Sequence, residues 1–289
     1  MSIKCFVTGH RGYIGSHLYK ELEERGYEVR GIDLKEGEDI IHDLEKYDDF
    51  KPDYIFHLAA FPRVVYSMEF PEKVLENNIL STIRILEFAR KHNCKRVIYS
   101  SSSSVLGNRE ESAYEPTSPY GASKLVPEIL CKNYSRVFGV DTVSLRYFNV
   151  YSKDQTAVLA YATAIASFME HIRQGKTPYV TGDGNQTRDM LHVKDAVAAN
   201  IFCALFNSDF GGEIFDVGTG ENIKLNEVKD LVLNYFPNLE FEYVEERPGD
   251  VRSTRAETLK LKNLGWQTRI SIREGIEDCF KSLKKELDE

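Results

Sequence analysis

The feature that most constrains the fold of this chain is the alternation of short β-rich runs with longer segments of helical periodicity. Apolar residues recur at helical spacing in Tyr13–Arg25, Pro71–His92 and Tyr120–Phe138. The β-rich runs that flank these segments are Ile3–Thr8, Glu28–Asp33, Tyr54–Ala59, Arg96–Ser101 and Asp141–Tyr147. Strands joined by helices of this length need right-handed crossovers, so the pattern predicts an α/β fold with a doubly wound parallel sheet.

The second half of the chain has shorter elements, separated by glycine-rich turns such as Thr181–Gly184 and Gly218–Gly220. A helix at Val193–Phe206 and a strand at Ile214–Val217 are expected to return to the main sheet. We therefore predict a main domain of residues 1–150 plus about 190–217, and a smaller segmented lobe of about 151–189 plus 218–289. Further expected elements are a helix at Ala160–Gln174, a strand at Thr177–Thr181, and helices at Asn226–Tyr235 and Ile272–Leu287.

Composition excludes several classes of function. The formal net charge of −8 argues against binding to nucleic acid or to an anionic membrane, because a surface that follows phosphates needs a basic excess. No apolar run approaches the length of a membrane span, and the amino terminus enters a strand at once, so we expect a cytoplasmic protein. The five cysteines are scattered without a C-x-x-C pair, which predicts reduced buried thiols and no metal site.

Three glycines with G-x-x-G-x-x-G spacing, at Gly9, Gly12 and Gly15, follow the first strand directly. Between a strand and a helix, such glycines let the backbone approach a pyrophosphate, whose charge is favourable at the N-terminus of the helix beginning near Tyr13. Asp33 ends the second strand, where its carboxylate can accept hydrogen bonds from both ribose hydroxyls. These residues together predict a Rossmann-type site for a dinucleotide.

The same segment indicates which dinucleotide is bound. The Asp33 carboxylate would repel a 2′-phosphate, so NAD is favoured over NADP. Arg11, inside the turn, is the residue that would attract a 2′-phosphate, but Asp33 outweighs it because the carboxylate would face that phosphate directly. Asp43 and Leu44 are placed to flank the adenine, although a solvated turn explains them nearly as well.

The spacing Tyr-x-x-x-Lys occurs twice, at Tyr47–Lys51 and Tyr120–Lys124. The first pair lies in an Asp/Lys-rich segment and is interpreted as solvated surface. The second pair opens a long helix, and i,i+4 spacing puts both side chains on one face. Lowering a tyrosine pKa by ~3 units takes ~4 kcal/mol, which Lys124 and a positive nicotinamide ring can supply, so we expect proton transfer here.

A serine run, Ser100–Ser104, lies at the carboxyl end of the fourth strand. Open parallel sheets bind their ligands at this edge, so the run offers a second hydrogen-bonding group to the substrate oxygen. Further motifs spread over nearly the whole chain are His57–Ala60, Asn78–Thr82, Val105–Gly107, Arg146–Asn149, Gly182–Asp189 and Arg247–Asp250. With the glycine turn and Tyr120–Lys124, this series resembles the extended short-chain dehydrogenase/reductase family, specifically nucleotide-sugar 4-epimerases and their 4,6-dehydratase and decarboxylase relatives.

The resemblance implies a role for each of a set of site residues. The catalytic group is Ser102, Tyr120 and Lys124. The NAD-binding residues are Gly9, Arg11, Gly12, Tyr13, Ile14, Gly15, Asp33, Asp43, Leu44, Leu58, Ala59, Ala60, Asn78, Ser100, Tyr120, Lys124 and Tyr147. The residues implied to bind the nucleotide sugar, expected to be a UDP-sugar, are Ser102, Ser103, Asn149, Arg188, Arg247, Asp250 and Thr254.

The positions after Ser102 indicate the type of reaction. The 4,6-dehydratases of this family carry Asp-Glu there, and the decarboxylases keep the Glu, whereas this chain has Ser103 and Ser104. The resemblance therefore implies NAD-dependent epimerisation at C4 through a transient 4-keto sugar. A nucleotide-sugar lyase is the nearest alternative, and an NAD-binding sensor without catalysis is another, although it would not need Ser102, Tyr120 and Lys124 together.

Two finer expectations also follow from the resemblance. Hexose-restricted 4-epimerases carry a tyrosine where this chain has Thr254, and the smaller residue would leave room for a 2-N-acetyl group, as in UDP-GlcNAc and UDP-GalNAc as opposed to UDP-Glc and UDP-Gal. The Tyr120 helix forms part of a homodimer interface in the family. Leu125, Ile129 and Val137 could belong to such a face, or equally to the core.

Overall fold

A six-stranded parallel sheet is the framework of the fold in a computed structural model, which describes residues 2–62, 64–107, 115–155, 163–246 and 251–289. Its strands are β1 (Lys4–Thr8), β2 (Glu28–Ile32), β3 (Tyr54–His57), β4 (Arg96–Ser102), β5 (Thr142–Tyr147) and β8 (Glu213–Val217). Their order across the sheet is β2-β1-β3-β4-β5-β8. The predicted α/β class with a doubly wound sheet is confirmed, and the late strand does return to the sheet beside β5.

Helices link these strands, and their ends follow from local sequence. They are α1 (Tyr13–Glu24), α2 (Ile40–Asp43), α3 (Val64–Glu69), α4 (Pro71–His92), α5 (Pro119–Phe138) and α7 (Val193–Leu205). Pro71 begins α4, where a missing N–H costs nothing, and Asn93 ends it in the left-handed conformation. Ser118 caps α5 by accepting a hydrogen bond from the Gly121 N–H. The cap fixes the position at which Tyr120 enters the helix.

The described chain divides into two units, Met1–Tyr147 with Ala196–Asp216, and Phe148–Asp195 with Val217–Glu289. The core of the first unit lies against the sheet, where Phe6, Ile55 and Val97 from three adjacent strands are almost fully buried. Tyr47 also packs there, its ring 4.9 Å from that of Phe6, and its hydroxyl donates to Glu38 at 2.5 Å and lies 3.0 Å from the Gly31 carbonyl oxygen. The interpretation of this tyrosine as solvated surface is wrong, because its ring covers the core while the charged residues around it face water.

The second unit has a hydrophobic core of its own, formed largely by three helices. Its elements are α6 (Ala164–Arg173), β6 (Tyr179–Thr181), β7 (Thr187–Arg188), β9 (Ile223–Lys224), α8 (Leu225–Leu233), β10 (Glu242–Val244), α9 (Leu259–Asn263) and α10 (Ile272–Asp288). Phe168 of α6, Val228 of α8 and Phe280 of α10 are buried together. The two small sheets β10-β6 and β7-β9 hold the glycine-rich turns between these helices.

A buried arginine joins distant segments of the first unit. Arg96, at the start of β4, pairs with Asp141 and donates to the carbonyls of Cys203, Phe206 and Ser208 at and beyond the end of α7. The last carbonyl groups of a helix have no N–H partner within the helix, and the guanidinium supplies hydrogen bonds to them and a positive charge at the negative end of the helix dipole. The interaction fixes the end of α7 to the start of β4.

The five cysteines are all buried and free of disulfides, as expected, and burial raises the pKa of the Cys131 thiol to about 12. Through the parts of the chain that the structure describes, no helix is long and apolar enough to cross a bilayer.

Candidate active site

The glycine turn lies between β1 and α1 and has no room for side chains. Gly9 has φ +70°, and a Cβ added to it would lie 2.8 Å from the Ala59 nitrogen. A Cβ on Gly15 would lie 2.1 Å from the Gly9 carbonyl oxygen. Gly12 is the N-cap of α1 and makes no side-chain cap bond, and the first turn holds no acidic residue. The N-terminal N–H groups and the positive helix end are therefore suited to a diphosphate, so this cradle fits NAD.

Asp33 is held at the adjoining edge of the sheet, just after β2. One carboxylate oxygen accepts from the Arg11 N–H and the other from the Lys35 N–H, both at 2.8 Å. These bonds aim the carboxylate while leaving lone pairs on each oxygen for ribose hydroxyls. The Arg11 guanidinium itself is paired with Glu36.

The other predicted cofactor residues of the first unit fall at the same carboxyl edge or just beneath it. Leu58, Ala59 and Ala60 follow β3, where the Ala59 N–H donates to the Thr8 hydroxyl at 3.1 Å. Asn78 of α4 accepts from the Phe61 N–H at 2.8 Å and donates to Ser123 of α5 at 2.9 Å. Its amide thus fixes the loop after β3 to the helix of Tyr120.

Four further predicted residues lie on or beside helices α1 and α2. Asp43 ends α2, where it accepts from the Asp39 N–H and pairs with Lys46 at 2.9 Å, and these bonds lower its pKa. Leu44 is buried in the same cluster as Phe6. Tyr13 and Ile14 begin α1, and Tyr13 packs edge-on against the ring of His17. The contact of Asp43 and Leu44 with adenine stays a prediction.

The predicted proton-transfer residues converge where β4 ends beside α5. The Lys124 ammonium donates to the Ser100 carbonyl at 2.8 Å and is buried, and a hydrogen bond links Tyr120 with Ser102. The Tyr120 N–H donates to the Ser67 hydroxyl of α3 at 3.0 Å, which holds the first turn of α5 in place. The structure thus brings Ser102, Tyr120 and Lys124 together as predicted, while their catalytic roles stay a prediction.

Burial controls the charges of this group. It raises the pKa of Tyr120, and the hydrogen bond with Ser102 lowers it part of the way back. It lowers the pKa of Lys124 to about 7, against a smaller opposing effect of Glu128. Burial by itself thus makes Tyr120 a poorer base, so the lowering of its pKa that is expected from the sequence has to come from Lys124 and a positive nicotinamide ring.

The two positions that follow Ser102 present hydroxyls. Ser103 and Ser104 begin a 3₁₀ turn, Ser103–Leu106, which Ser102 caps by accepting from the Ser104 N–H at 3.2 Å. Ser100 and Tyr147 lie with their hydroxyls 3.1 Å apart. His57 is buried between two threonine hydroxyls at 2.8 and 3.0 Å, and burial lowers its pKa to about 3, so it is a neutral hydrogen-bonding residue.

A buried ionic network of Glu128 and Arg146, next to Lys124, was not predicted from the sequence. Glu128, one turn further along α5, accepts from Ser101 at 2.5 Å and from two nitrogens of Arg146 at 2.7 and 2.6 Å. Arg146 also lies 3.8 Å from Asp216 of β8. The i,i+4 spacing from Lys124 to Glu128 was the available signal, but nothing in the sequence joins it to Arg146. The network fixes α5 against β4 and β5.

In the second unit, three predicted substrate residues meet around Asp189. Asn149, with φ +35°, donates through its side chain to the Asp189 carbonyl at 2.7 Å and lies 3.4 Å from the Thr254 hydroxyl. Arg188 precedes Asp189 and donates to the Thr187 carbonyl at 3.0 Å. The buried Asp189 carboxylate accepts from the N–H groups of Thr219, Gly220 and Ala256. Arg247 and Asp250 lie outside the described residues.

Comparison with known proteins covers almost the whole chain. The sequence model of the NAD dependent epimerase/dehydratase family matches residues 5–218. A UDP-glucose 4-epimerase of Mycolicibacterium smegmatis is 32% identical over an alignment of 305 positions, gaps included, which covers 95% of this chain and 96% of that protein.

Two solved structures resemble this one over almost the whole chain, with the same TM-score. A UDP-glucose 4-epimerase from Thermotoga maritima, with UDP-glucose, has a TM-score of 0.89 and 29% identity over 99% of this chain and 100% of that chain. A UDP-N-acetylglucosamine 4-epimerase from Methanobrevibacter ruminantium M1, in complex with UDP-N-acetylmuramic acid, has a TM-score of 0.89 and 30% identity, with the same coverage. The cofactor in the description of the matching family is NAD, the one predicted from Asp33.

Proposed function

Because this chain belongs to the NAD-dependent epimerase/dehydratase family, we propose that it inverts the configuration at C4 of a UDP-sugar. The observation that carries the proposal is the convergence of Ser102, Tyr120 and Lys124 at the carboxyl edge of the sheet, beside a turn that fits NAD. The three similar proteins described above are each named as a 4-epimerase of a UDP-sugar, which supports the same chemistry.

In the proposed mechanism, Tyr120 removes the proton from the C4 hydroxyl while Ser102 hydrogen-bonds to the same oxygen. NAD, when bound, supplies the group that accepts hydride from C4 and later returns it. The Lys124 ammonium would stabilise the Tyr120 phenolate strongly, because little solvent screens the charge at this buried position, and the phenolate would in turn oppose the lowering of the Lys124 pKa by burial. After the 4-keto sugar has turned its other face, Tyr120 returns the proton to the oxygen.

The side chains after Ser102 favour epimerisation over the lyase alternative. Elimination of water needs a further acid and base, and Ser103 and Ser104 carry hydroxyls that stay protonated at neutral pH. The sensor alternative is disfavoured because a protein that only binds NAD gains nothing from the cost of burying Lys124.

We further propose that the second unit binds the nucleotide sugar and the first unit binds NAD. Asn149 and Arg188, with Arg247 and Asp250, are the residues assigned to the diphosphate and uridine ribose. The small side chain of Thr254 supports UDP-GlcNAc and UDP-GalNAc as substrates in addition to UDP-Glc and UDP-Gal, and the structural similarity to a UDP-N-acetylglucosamine 4-epimerase supports the same choice.

The proposed homodimer would use the outer face of α5. Ile129 and Val137 are each 61% exposed and Phe138 is 49% exposed, so this stripe is not used by the core of the first unit, and Leu80 adds an exposed apolar residue from α4. Leu125 is half-buried. The sequence left open whether the stripe serves the core or a dimer, and this exposure favours the dimer.

The experiment is proton NMR of the purified protein with UDP-GlcNAc, without added reductant, following the anomeric signals of the sugar. We expect UDP-GalNAc to form. Tyr120→Phe should keep bound NAD yet lose turnover by at least ~10²-fold, because a positioned acid–base group contributes this much. Tyr47→Phe, in the other Tyr-x-x-x-Lys segment, is the matched control and should turn over normally. A 4-keto-6-deoxy product would support the lyase, and full activity in Tyr120→Phe would refute the mechanism.

A further inference from the structure

Arg11 gives the cofactor turn a cation where NADP carries its extra phosphate. Its backbone N–H donates to Asp33 at 2.8 Å, so the residue adjoins the carboxylate proposed to hold the ribose. A guanidinium forms a planar fork that binds phosphate through two parallel hydrogen bonds. Taken alone, Arg11 would offset part of the repulsion between Asp33 and a 2′-phosphate.

Glu36 occupies this fork. It ends the 3₁₀ turn Leu34–Glu36 that Asp33 caps, and one of its carboxylate oxygens lies 2.6 Å from both Nε and Nη2 of Arg11. Both nitrogens on one edge of the guanidinium are therefore already bonded to a carboxylate. Lys35 reaches the same residue from the other side, since its ammonium donates to the Arg11 carbonyl at 2.8 Å.

The position of Glu36 is set by a buried residue, which distinguishes it from an ordinary surface partner. Its second carboxylate oxygen lies 3.0 Å from Nε2 of His10, whose side chain is only 7% exposed. The His10 ring is confined in turn, because a Cβ on Gly31 would lie 2.4 Å from it, and it also packs against Tyr19. Glu36 is thus anchored on one side while it holds Arg11 on the other.

We propose that Glu36 is a second cofactor-selecting residue, which keeps Arg11 from binding the 2′-phosphate of NADP. Selection against NADP then has two parts: Asp33 repels the phosphate, and Glu36 occupies the cation that would attract it. The inference rests on NAD binding by the first unit and not on the sugar, so it can fail while the 4-epimerase assignment stands, and the reverse.

The test is the dissociation constant of NAD⁺ and of NADP⁺, measured by isothermal titration on the full chain after bound nucleotide has been removed and its removal checked by chromatography. Glu36→Ala should bind NADP⁺ roughly fivefold more tightly than the unaltered protein, the upper range for one exposed charge-assisted contact to phosphate. The dissociation constant of NAD⁺ should change by less than about twofold, because NAD carries no group for the released arginine.

Two further variants make the result specific. Glu21→Ala breaks a pair of similar exposure, with Arg25 at 2.8 Å on α1, and should leave both constants unchanged. The double variant Arg11→Ala/Glu36→Ala should lose the gain for NADP⁺, because the cation is absent. Unchanged NADP⁺ affinity in Glu36→Ala, an equal change for both nucleotides, or a gain that survives in the double variant would each overturn the proposal.

Discussion

Replacing Lys124 with methionine should abolish turnover and yet make the folded protein more stable at neutral pH. The pKa of Lys124 is lowered by burial from 10.5 to about 7, whereas the unfolded chain keeps the ordinary value. Between these two pKa values the unfolded chain binds the extra proton, so stability rises with pH across this range. At pH 7 the buried lysine costs the folded state about 4 kcal/mol.

Methionine removes this cost but also removes the hydrogen bond to the Ser100 carbonyl. A lost bond to a buried acceptor costs about 1–3 kcal/mol, which leaves a net gain of about 2 kcal/mol at pH 7. The melting temperature should rise by roughly 4–8 °C in a chain of this size. Near pH 10 the cost of the lysine has fallen to about 1 kcal/mol, so the gain should vanish or reverse.

Thermal unfolding followed by circular dichroism between about pH 7 and pH 10, on nucleotide-free protein, measures this difference. Lys132→Met is the control, because it changes an exposed lysine on the same helix and should leave the melting temperature nearly constant. A Lys124→Met protein that melts below the unaltered protein at pH 7, or whose advantage does not shrink as pH rises, would refute the reasoning.

Two further predictions concern the framework of the first unit. Arg96→Met leaves Asp141 buried without its cation and should lower the free energy of unfolding by about 3–5 kcal/mol, measured with denaturant. The control Arg90→Met, at an exposed pair with Glu87, should lower it by less than about 1 kcal/mol. Equal effects of the two substitutions would contradict the burial argument. Gly15→Ala should weaken NAD binding by at least ~10-fold in titration, because its Cβ would lie 2.1 Å from the Gly9 carbonyl oxygen and displace the turn; an unchanged affinity would mean that the turn can shift without loss.

The long elements of the first unit were predictable because their signals are local, whereas the short helices α2 and α3 were not predicted. Pro71 and the helical periodicity that follows it give the bounds of α4 from sequence alone, and the strands are short β-rich runs between helical segments. The strands β7 and β9 were not predictable, because two residues are too few to show a period. Tertiary pairing around the glycine turns creates them.

The same distinction between local and long-range signals holds for the residues of the candidate site. The glycine turn, Asp33 and the Tyr120–Lys124 spacing lie within single segments and could be found by motif. Glu128 and Arg146 could not be paired, because their contact depends on how α5 lies across β4 and β5. Long-range contacts between polar residues leave no periodic trace, and the same holds for the bond between Arg96 and the end of α7.

The interrupted path of the first unit has a consequence for synthesis of the chain. Five of its strands are complete at Tyr147, but β8 and the carbonyls that bind Arg96 follow only after the first segment of the second unit. At usual rates of translation this interval lasts roughly 3 to 13 s. During this interval β5 is the edge strand of the sheet, although all of its residues are buried in the complete protein. Arg96 can already pair with Asp141, but the carbonyls at the end of α7 have not yet been synthesised. We therefore expect the nascent chain to expose this unpaired strand during the interval, when binding of a chaperone would protect it from aggregation.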